Sequence, residues 1–316
     1  MPDPANFTTL YQEKLLPAIQ LIEPARKTVQ AKAYLMDSYI LIGVLLFVII
    51  TSSREPLLIF FPISVFFFVA AGMVYRKLLF EKTKYIKAYK QTVIAEIIKG
   101  IQPSFIYQPA GYVSPGDFDQ SGLYLDPYDS FTGEDYVEGM QGVTHFCFSE
   151  LSVLQRNSSG KETPGCVFSG LFFIADFNKN MAGRTYVWTD SSPELNVFSK
   201  NVLSFAQGLE KVKLESPEFE KRFTVYSSDQ VEARYFLTPA FMDRMVKLEN
   251  QLGAKTVFSF AGNNIYIALP FHKDMFEPTI YSMSSTDDME NYYNMVIRMI
   301  HIIDELNLNQ RIWNKA

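Results

Sequence analysis

YILIGVLLFVIITSSREPLLIFFPISVFFFVAAGMVY, residues Tyr39 to Tyr75, decides the architecture of this chain. Its second half, Leu57 to Tyr75, carries no charged residue. At about 1.5 Å rise per residue a helix of that length nearly crosses a ~30 Å hydrocarbon layer. The first half is shorter, and becomes long enough when AYLM (Ala33 to Met36) joins it with Asp37 at headgroup level. A buried hairpin in a soluble core is the competing explanation, but two adjacent runs this long and pure argue against it. The expectation is a transmembrane helical hairpin over 33–77, with spans of about 34–53 and 57–76 and a kink in the second at Pro62.

The flanks set the orientation. The connector SSREP holds only Arg54, whereas Lys14, Arg26, Lys27 and Lys32 precede the first span and Arg76, Lys77, Lys82, Lys84, Lys87 and Lys90 follow the second. Positive charge stays on the cytoplasmic side, so both termini are expected there, with the membrane crossed twice. The N-terminus, MPDPANFTTLYQEKLL, lacks the pattern of a cleavable secretory signal. Lys82, Lys84, Lys87 and Lys90 lie in a basic membrane-exit helix (78–100), where Tyr85, Ile86 and Tyr89 supply an interfacial apolar strip. Contact with anionic lipid headgroups is expected of these lysines, at about 1 kcal/mol each. Service to topology alone is the alternative.

Composition agrees with an anchor joined to a polar domain. A mean hydropathy of +0.01 is high for a chain that is 20% charged. From residue 81 onward 22 basic side chains face 29 acidic ones, a balance of −7, which argues against nucleic acid as a partner. Two cysteines, Cys147 and Cys166, suit a reducing compartment without disulfides.

Outside the hairpin, residues 1–32 show helical apolar spacing (Leu15, Ile19, Ile22) broken by Pro17 and Pro24. They predict one or two amphipathic helices at the membrane face or on the cytosolic domain. That domain, 101–316, begins with a loop-rich section in which SPGDF (Ser114 to Phe118) can cap and open a short helix. From residue 142 the period changes to two. THFCFSELSVLQRN, CVFSGLFFIADF and RTYVWTD read as three antiparallel strands separated by NSSGKETPG and NKNMAG, and VFSKNVLSF and LEKVKLE extend the sheet. TPAFMDRMVKLENQLG predicts a helix, KTVFSFAGNNIYIALPF a hairpin turning at 262–264, and DDMENYYNMVIRMIHIIDELNL a last helix. The fold class is α+β with a mainly antiparallel sheet and packing helices.

Chemistry is thinly marked. SSGKET has Gln155 where a phosphate loop needs glycine, and DPYDSFTGEDYVEG places Tyr128 and Val137 where a calcium loop needs oxygen ligands, so a solvated loop is expected there. His145 and Cys147 share one strand face, the minimum for a thiol–imidazole pair, though packing explains them as well. His272 stands near Asp274 and Glu277 on an expected loop. No cofactor or metal is expected, and no catalytic motif supports an enzyme.

One block is dense in charge and aromatic rings: ESPEFEKRFTVYSSDQVEARYFLTP, Glu215 to Pro239. Ser216, Pro217 and Glu218 begin a capped turn, FTVYSS forms a strand, and Thr238 caps the next helix before Pro239. Glu215, Arg222, Asp229, Glu232 and Arg234 form its polar cluster. Buried pairing of Glu215 or Asp229 with Arg222 or Arg234 is expected to hold a strand-to-helix joint, and the alternative makes the cluster the lining of a ligand groove. This block resembles the bacterial family called domain of unknown function 3137. So do LPAIQLIEPARK with Glu23 and Arg26, the paired spans, GEDYVEGMQGVTHFCFSELSV and VFSGLFFIADFNKNMAGRTYV. The resemblance implies a cytosol-facing membrane protein without an assigned activity, and suggests a LemA-type membrane protein as partner. The function expected is a membrane-anchored interaction module for a protein partner or lipid headgroup, with a membrane-associated enzyme around His145, Cys147 or Asp229 as the alternative.

Overall fold

Proline placement governs the first hundred residues. In the computed structural model, which describes residues 4–52, 60–155, 165–189, 208–271 and 275–309, α1 (Pro4–Leu10) passes through a π turn (Tyr11–Leu15) into α2 (Leu16–Ser52). Pro17 lies in the first turn of α2, directly after Leu16 N–H has closed the π turn onto the Tyr11 carbonyl. Pro24 is carried inside α2. The prolines are thus absorbed, and of the one or two helices expected over this segment the structure has one continuous helical run. Likewise α3 (Phe61–Tyr89) starts one residue before Pro62, where a missing N–H costs no helical bond, so the expected kink is absent. A second π turn (Lys90–Ile94) leads to α4 (Ala95–Ile101). Arg54 and the rest of the connector fall outside the described residues.

The chain divides into two compact units: residues 1–100 with 276–293, and 101–275 with 294–316. Residues 276–293, assigned by sequence to the 101–316 domain, group with the helices. In the first unit Leu15 of the π turn and Ile19, Ile22, Val29 and Ala33 of α2 are buried, as are Leu78, Tyr85 and Tyr89 of α3 and Val93, Ile94, Ile97 and Ile98 beyond it. The apolar spans continue the same pairing: Ser64 Oγ donates to the Gly43 carbonyl at 3.0 Å, and a Cβ at Gly43 would press the Phe68 ring at 3.2 Å. Outward from this seam Leu41, Leu45, Phe47, Val48, Phe66, Val69 and Met73 are exposed. Both helices are long and apolar enough to cross a membrane, and only 11% and 22% of their most apolar stretches are buried. A core helix of a soluble domain would be mostly covered.

The second unit is built on a seven-stranded sheet whose paired strands are all antiparallel: β1 (Ile106–Gln108), β2 (Ser130–Gln141), β3 (Thr144–Gln155), β4 (Gly165–Thr189), β5 (Glu210–Val212), β6 (Phe223–Ser227) and β7 (Val257–Pro270). β4 is central. Its first half pairs with β3, its second half with β6, and β7 runs along its other edge. From Gly170 to Ala175 every residue of β4 is buried, so LFFIA reads as a continuous apolar run rather than an alternating one. Phe168, Phe172, Tyr186 and Trp188 enter a core with Phe118 of α5 (Pro115–Ser121), while Phe177 packs with Phe236, Phe241 and Phe260. Helices α6 (Pro217–Glu220), α7 (Gln230–Phe236), α8 (Pro239–Leu252) and α9 (Thr286–Glu305) complete the chain. Ser114, Ser216 and Thr238 cap their helices as the sequence predicts.

Two expected turns are not turns. NKNMAG lies within β4 and AGNN within β7, and the two strands bulge together where Met181 faces Gly262. Gly262 takes a left-handed φ of +60°, so its conformational freedom serves the bulge instead of a reversal. The acidic segment expected as a solvated loop is strand β2 from Ser130 onward. VFSKNVLSF and all of NSSGKETPG before Gly165 lie outside the described residues. At Gly170, with φ +150°, an added Cβ would lie 2.2 Å from the Leu269 carbonyl oxygen on β7. Gly170→Ala should therefore cost at least about 1–3 kcal/mol from backbone strain alone, read as a lower denaturant midpoint at unchanged slope.

Candidate functional site

The Glu215–Pro239 block acts on the β4 bulge. Asp229 caps α7, its carboxylate accepting the N–H groups of Val231 and Glu232, both at 2.9 Å. That cap aims Glu232 back at β4, where its two oxygens accept Ala182 N–H at 3.1 Å and Gly183 N–H at 3.0 Å. Ser228 Oγ accepts the Arg184 N–H, and Ser228 N–H donates to the Arg184 carbonyl. The expected buried pairing is replaced. Arg222 donates to Asn250 Oδ1 at 2.6 Å and approaches Glu249 at 3.6 Å, and exposed Arg234 reaches Gln230 Oε1 at 2.9 Å. Glu215 is exposed. The two carboxylates, Asp229 and Glu232, instead accept backbone N–H groups at a helix start and on a strand.

His145 and Cys147 do share a strand face, but not a bond in which the imidazole could take the thiol proton. His145 Nε2 lies 2.9 Å from Glu138 Oε1. Burial first, and then the nearby Glu138 carboxylate, push the Cys147 thiol up to about 12 against a bond from Tyr136. A thiol kept protonated at neutral pH is a poor nucleophile. His272 lies outside the described residues.

Two arrangements were not visible in the sequence. Glu134, Asp135 and Glu150 bring a carboxylate oxygen each within 4.8 Å of one another across the β2–β3 bulge. Protein donors already serve this group: Tyr107 hydroxyl donates to Asp135 at 2.6 Å and Met275 N–H to Glu150 at 3.1 Å. Asp135 has a left-handed φ of 60°, which a bulge creates and a period-two pattern conceals. The second arrangement is an open cleft of about 430 Å³ at the end of α8, lined by Lys221, Arg222, Lys255, Asn250 and Glu249. Three cations against one carboxylate make it electropositive within an acidic chain.

In the helical unit Lys82, Lys84 and Lys87 are exposed, with Lys84 Nζ 4.3 Å from the Phe80 ring centre. Lys90 is not, which corrects its assignment to lipid: its side chain is 3% exposed and lies 3.8 Å from Glu277. Tyr85 and Tyr89 are buried too, so they form no interfacial strip. Glu23 and Arg26 form a two-bonded ion pair at 2.8 and 2.7 Å, and Arg26 Nη1 donates to the Ile280 carbonyl at 2.7 Å. The Arg26 bond holds the Glu23 carboxyl below its usual range and keeps the guanidinium charged.

Residues 166–308 match DUF3137, described as a protein of unknown function. Over this segment the chain is similar to the DUF3137 family. No curated protein matches the chain. Among solved structures, the crystal structure of the mycobacterial trehalose monomycolate transport factor A, TtfA, aligns over 65% of this chain and 90% of that one, at 11% identity and a TM-score of 0.29. A likeness that loose carries no argument about fold or role.

The DUF3137 segment contains β4, its clamp and the cationic cleft, whereas His145, Cys147 and the three carboxylates of the β2–β3 bulge other than their Met275 donor lie upstream of it. Within the clamp, the two expected determinants differ in weight. Asp229→Ala removes a helix cap and should cost about 0.5–2 kcal/mol of stability. Arg234→Ala removes an exposed contact and should stay within about 0.5 kcal/mol. Glu232→Ala leaves two strand N–H groups unserved, and because Asp229 positions Glu232 the double variant should lose less than the sum of the singles. Chemical denaturation of the four proteins checks all of these.

Proposed function

We propose that this chain is a membrane-anchored binding module, crossing the membrane twice through α2 and α3 with both termini cytoplasmic. The observation that carries the anchor is the exposed apolar sheath of the two helices, since in water such a surface would drive aggregation. The Lys and Arg imbalance across the connector supports the orientation. Lys82, Lys84 and Lys87 are placed just beyond the span to meet anionic headgroups.

Binding is favoured over catalysis because the thiol–imidazole pair lacks an activated thiol, while the Lys221–Arg222–Lys255 cleft offers charge complementarity to an anionic group. A phosphate, free or on a lipid headgroup, suits it: Arg222 is already oriented by Asn250 and Glu249, and two lysines flank it.

Two experiments test these statements. In a Cys166→Ser background, Ser53→Cys should react with an impermeant thiol reagent on intact cells, and Ser114→Cys and Lys315→Cys only after lysis. Labelling of Lys315→Cys in intact cells would sink the topology. For the cleft, the full chain in detergent should melt higher with inorganic phosphate or short-chain phosphatidic acid than with chloride at equal ionic strength. A shift with phosphatidic acid alone would assign a headgroup, and a shift with both a phosphate site. The Lys221→Glu/Lys255→Glu variant should lose the shift, and its persistence would remove the cleft from the proposal.

A further inference from the structure

The segment Pro278–Thr286, PTIYSMSST, carries no charged residue and stands between Glu277 and Asp287. Within the helical unit three successive carbonyls of this segment are held by side chains. Tyr85 hydroxyl of α3 bonds the Thr279 carbonyl at 3.4 Å, Arg26 of α2 the Ile280 carbonyl at 2.7 Å, and Gln30 of α2 the Tyr281 carbonyl at 2.7 Å. From Arg26 to Gln30 α2 advances one turn, about 6 Å, toward its apolar run. One turn further along, Tyr34 meets the Tyr281 ring at 6.1 Å between centroids. The segment then turns back, with Ser284 buried against Tyr89, whose hydroxyl bonds it, and Met289 3.7 Å from the same hydroxyl. Tyr89 lies one turn beyond Tyr85, on the side away from the apolar run. The loop therefore descends along the helices and returns, with Tyr281, Ser282 and Met283 at its tip.

The level of that tip is marked on both helices. Tyr34 opens the apolar stretch of α2, and the Lys32–Glu81 ion pair, at 3.0 Å, ties the level just before it to α3 one turn from Arg76 and Lys77. Tyr281 is 56% exposed and Met283 44% exposed, although neither lies in a charged neighbourhood along the chain. An aromatic ring with a polar tip beside a flexible thioether, at the edge of an apolar span, has the chemistry of the headgroup–acyl boundary.

We infer that the Thr279–Ser285 loop is a third membrane-contacting element, which inserts Tyr281 and Met283 into the boundary layer beside the start of the α2 span. The inference rests on the spanning reading of α2 and α3. Its occupant is lipid because the loop continues the exposed apolar surface of α2 through the Tyr34–Tyr281 contact. Arg26 is the positioning residue: its paired bonds to Glu23 leave one N–H aimed at the Ile280 carbonyl, a geometry that lysine cannot reproduce.

The test uses the full chain in vesicles of phosphatidylglycerol and phosphatidylcholine, in a Cys166→Ser background, with nitroxide labels at Met283→Cys, Phe66→Cys and Ser114→Cys. Cys147→Ser is added to the background, so that only the introduced cysteine carries the label. Collision with oxygen, enriched in lipid, and with a water-soluble nickel chelate should place the Met283 label between the deep Phe66 label and the aqueous Ser114 label. Ser282→Cys, on the same exposed tip, should report the same, so one poorly folding variant does not decide the outcome. A Met283 label as open to nickel as Ser114, with Phe66 protected, overturns the loop inference and leaves the anchor standing. Loss of collision with both reagents at Met283 indicates a protein contact and also overturns it. A nickel-accessible Phe66 label overturns the spanning reading and the loop with it. Arg26→Lys should raise nickel collision at Met283 while leaving Phe66 unchanged.

Discussion

Two N–H groups on a bulge, those of Ala182 and Gly183, set the terms for the sheet unit. β4 must serve β3 and β6 on one edge in succession and β7 along the other, and its long ladder with β7 is interrupted where Met181 faces Gly262. At an interruption the backbone loses its ladder partner and must find another, here at exposed Ala182 and half-buried Gly183. The Glu232 carboxylate accepts both. Its position depends on α7, α7 on the Asp229 cap, and the cap on Ser227 and Ser228, which bond the Arg184 strand segment and the start of the helix. Two charges of that block, Asp229 and Glu232, are thus explained by backbone groups at one irregularity.

This dependence also explains what the sequence could and could not disclose. Caps are local, so Ser114, Ser216 and Thr238 followed by proline identify their helices correctly. The apolar spans are local as well. A bulge is not local: NKNMAG and AGNN each carry good turn chemistry, and only their mutual pairing turns two reversals into one kinked ribbon. The same non-locality hides Asp135, whose neighbours Glu134 and Glu150 come from different strands. It also misdirects the charge cluster, because an Asp or Glu that binds N–H groups looks, in sequence, like one waiting for an arginine.

In the helical unit the misjudged residues share one cause. Lys90, Tyr85 and Tyr89 follow an apolar span, and proximity in sequence suggests a membrane surface for all of them. Yet α3 runs on past its apolar stretch as part of a packed seam with α2, and residues 276–293 cover part of what two helices alone would expose. A lysine on that covered face needs a carboxylate, which Glu277 supplies from nearly two hundred residues away. Lys82, Lys84 and Lys87 lie on the uncovered face and stay in solvent.

The two units answer the same constraint by the same chemistry. An irregular backbone segment must find partners for its polar groups, and in both cases a charged side chain on a helix provides them: Glu232 for two strand donors, and Arg26, with Gln30 and Tyr85, for three loop acceptors. The sign of the charge follows from which backbone group is orphaned. Carboxylates collect N–H groups and guanidinium collects carbonyls. Arg26 can stay charged within the packed unit because Glu23 neutralises it from one turn away, and that pairing fixes the guanidinium plane with Nη1 aimed at the Ile280 carbonyl. A guanidinium so fixed specifies where the loop must lie as well as that it is bound, which is why the loop descends the helix rather than merely resting on it.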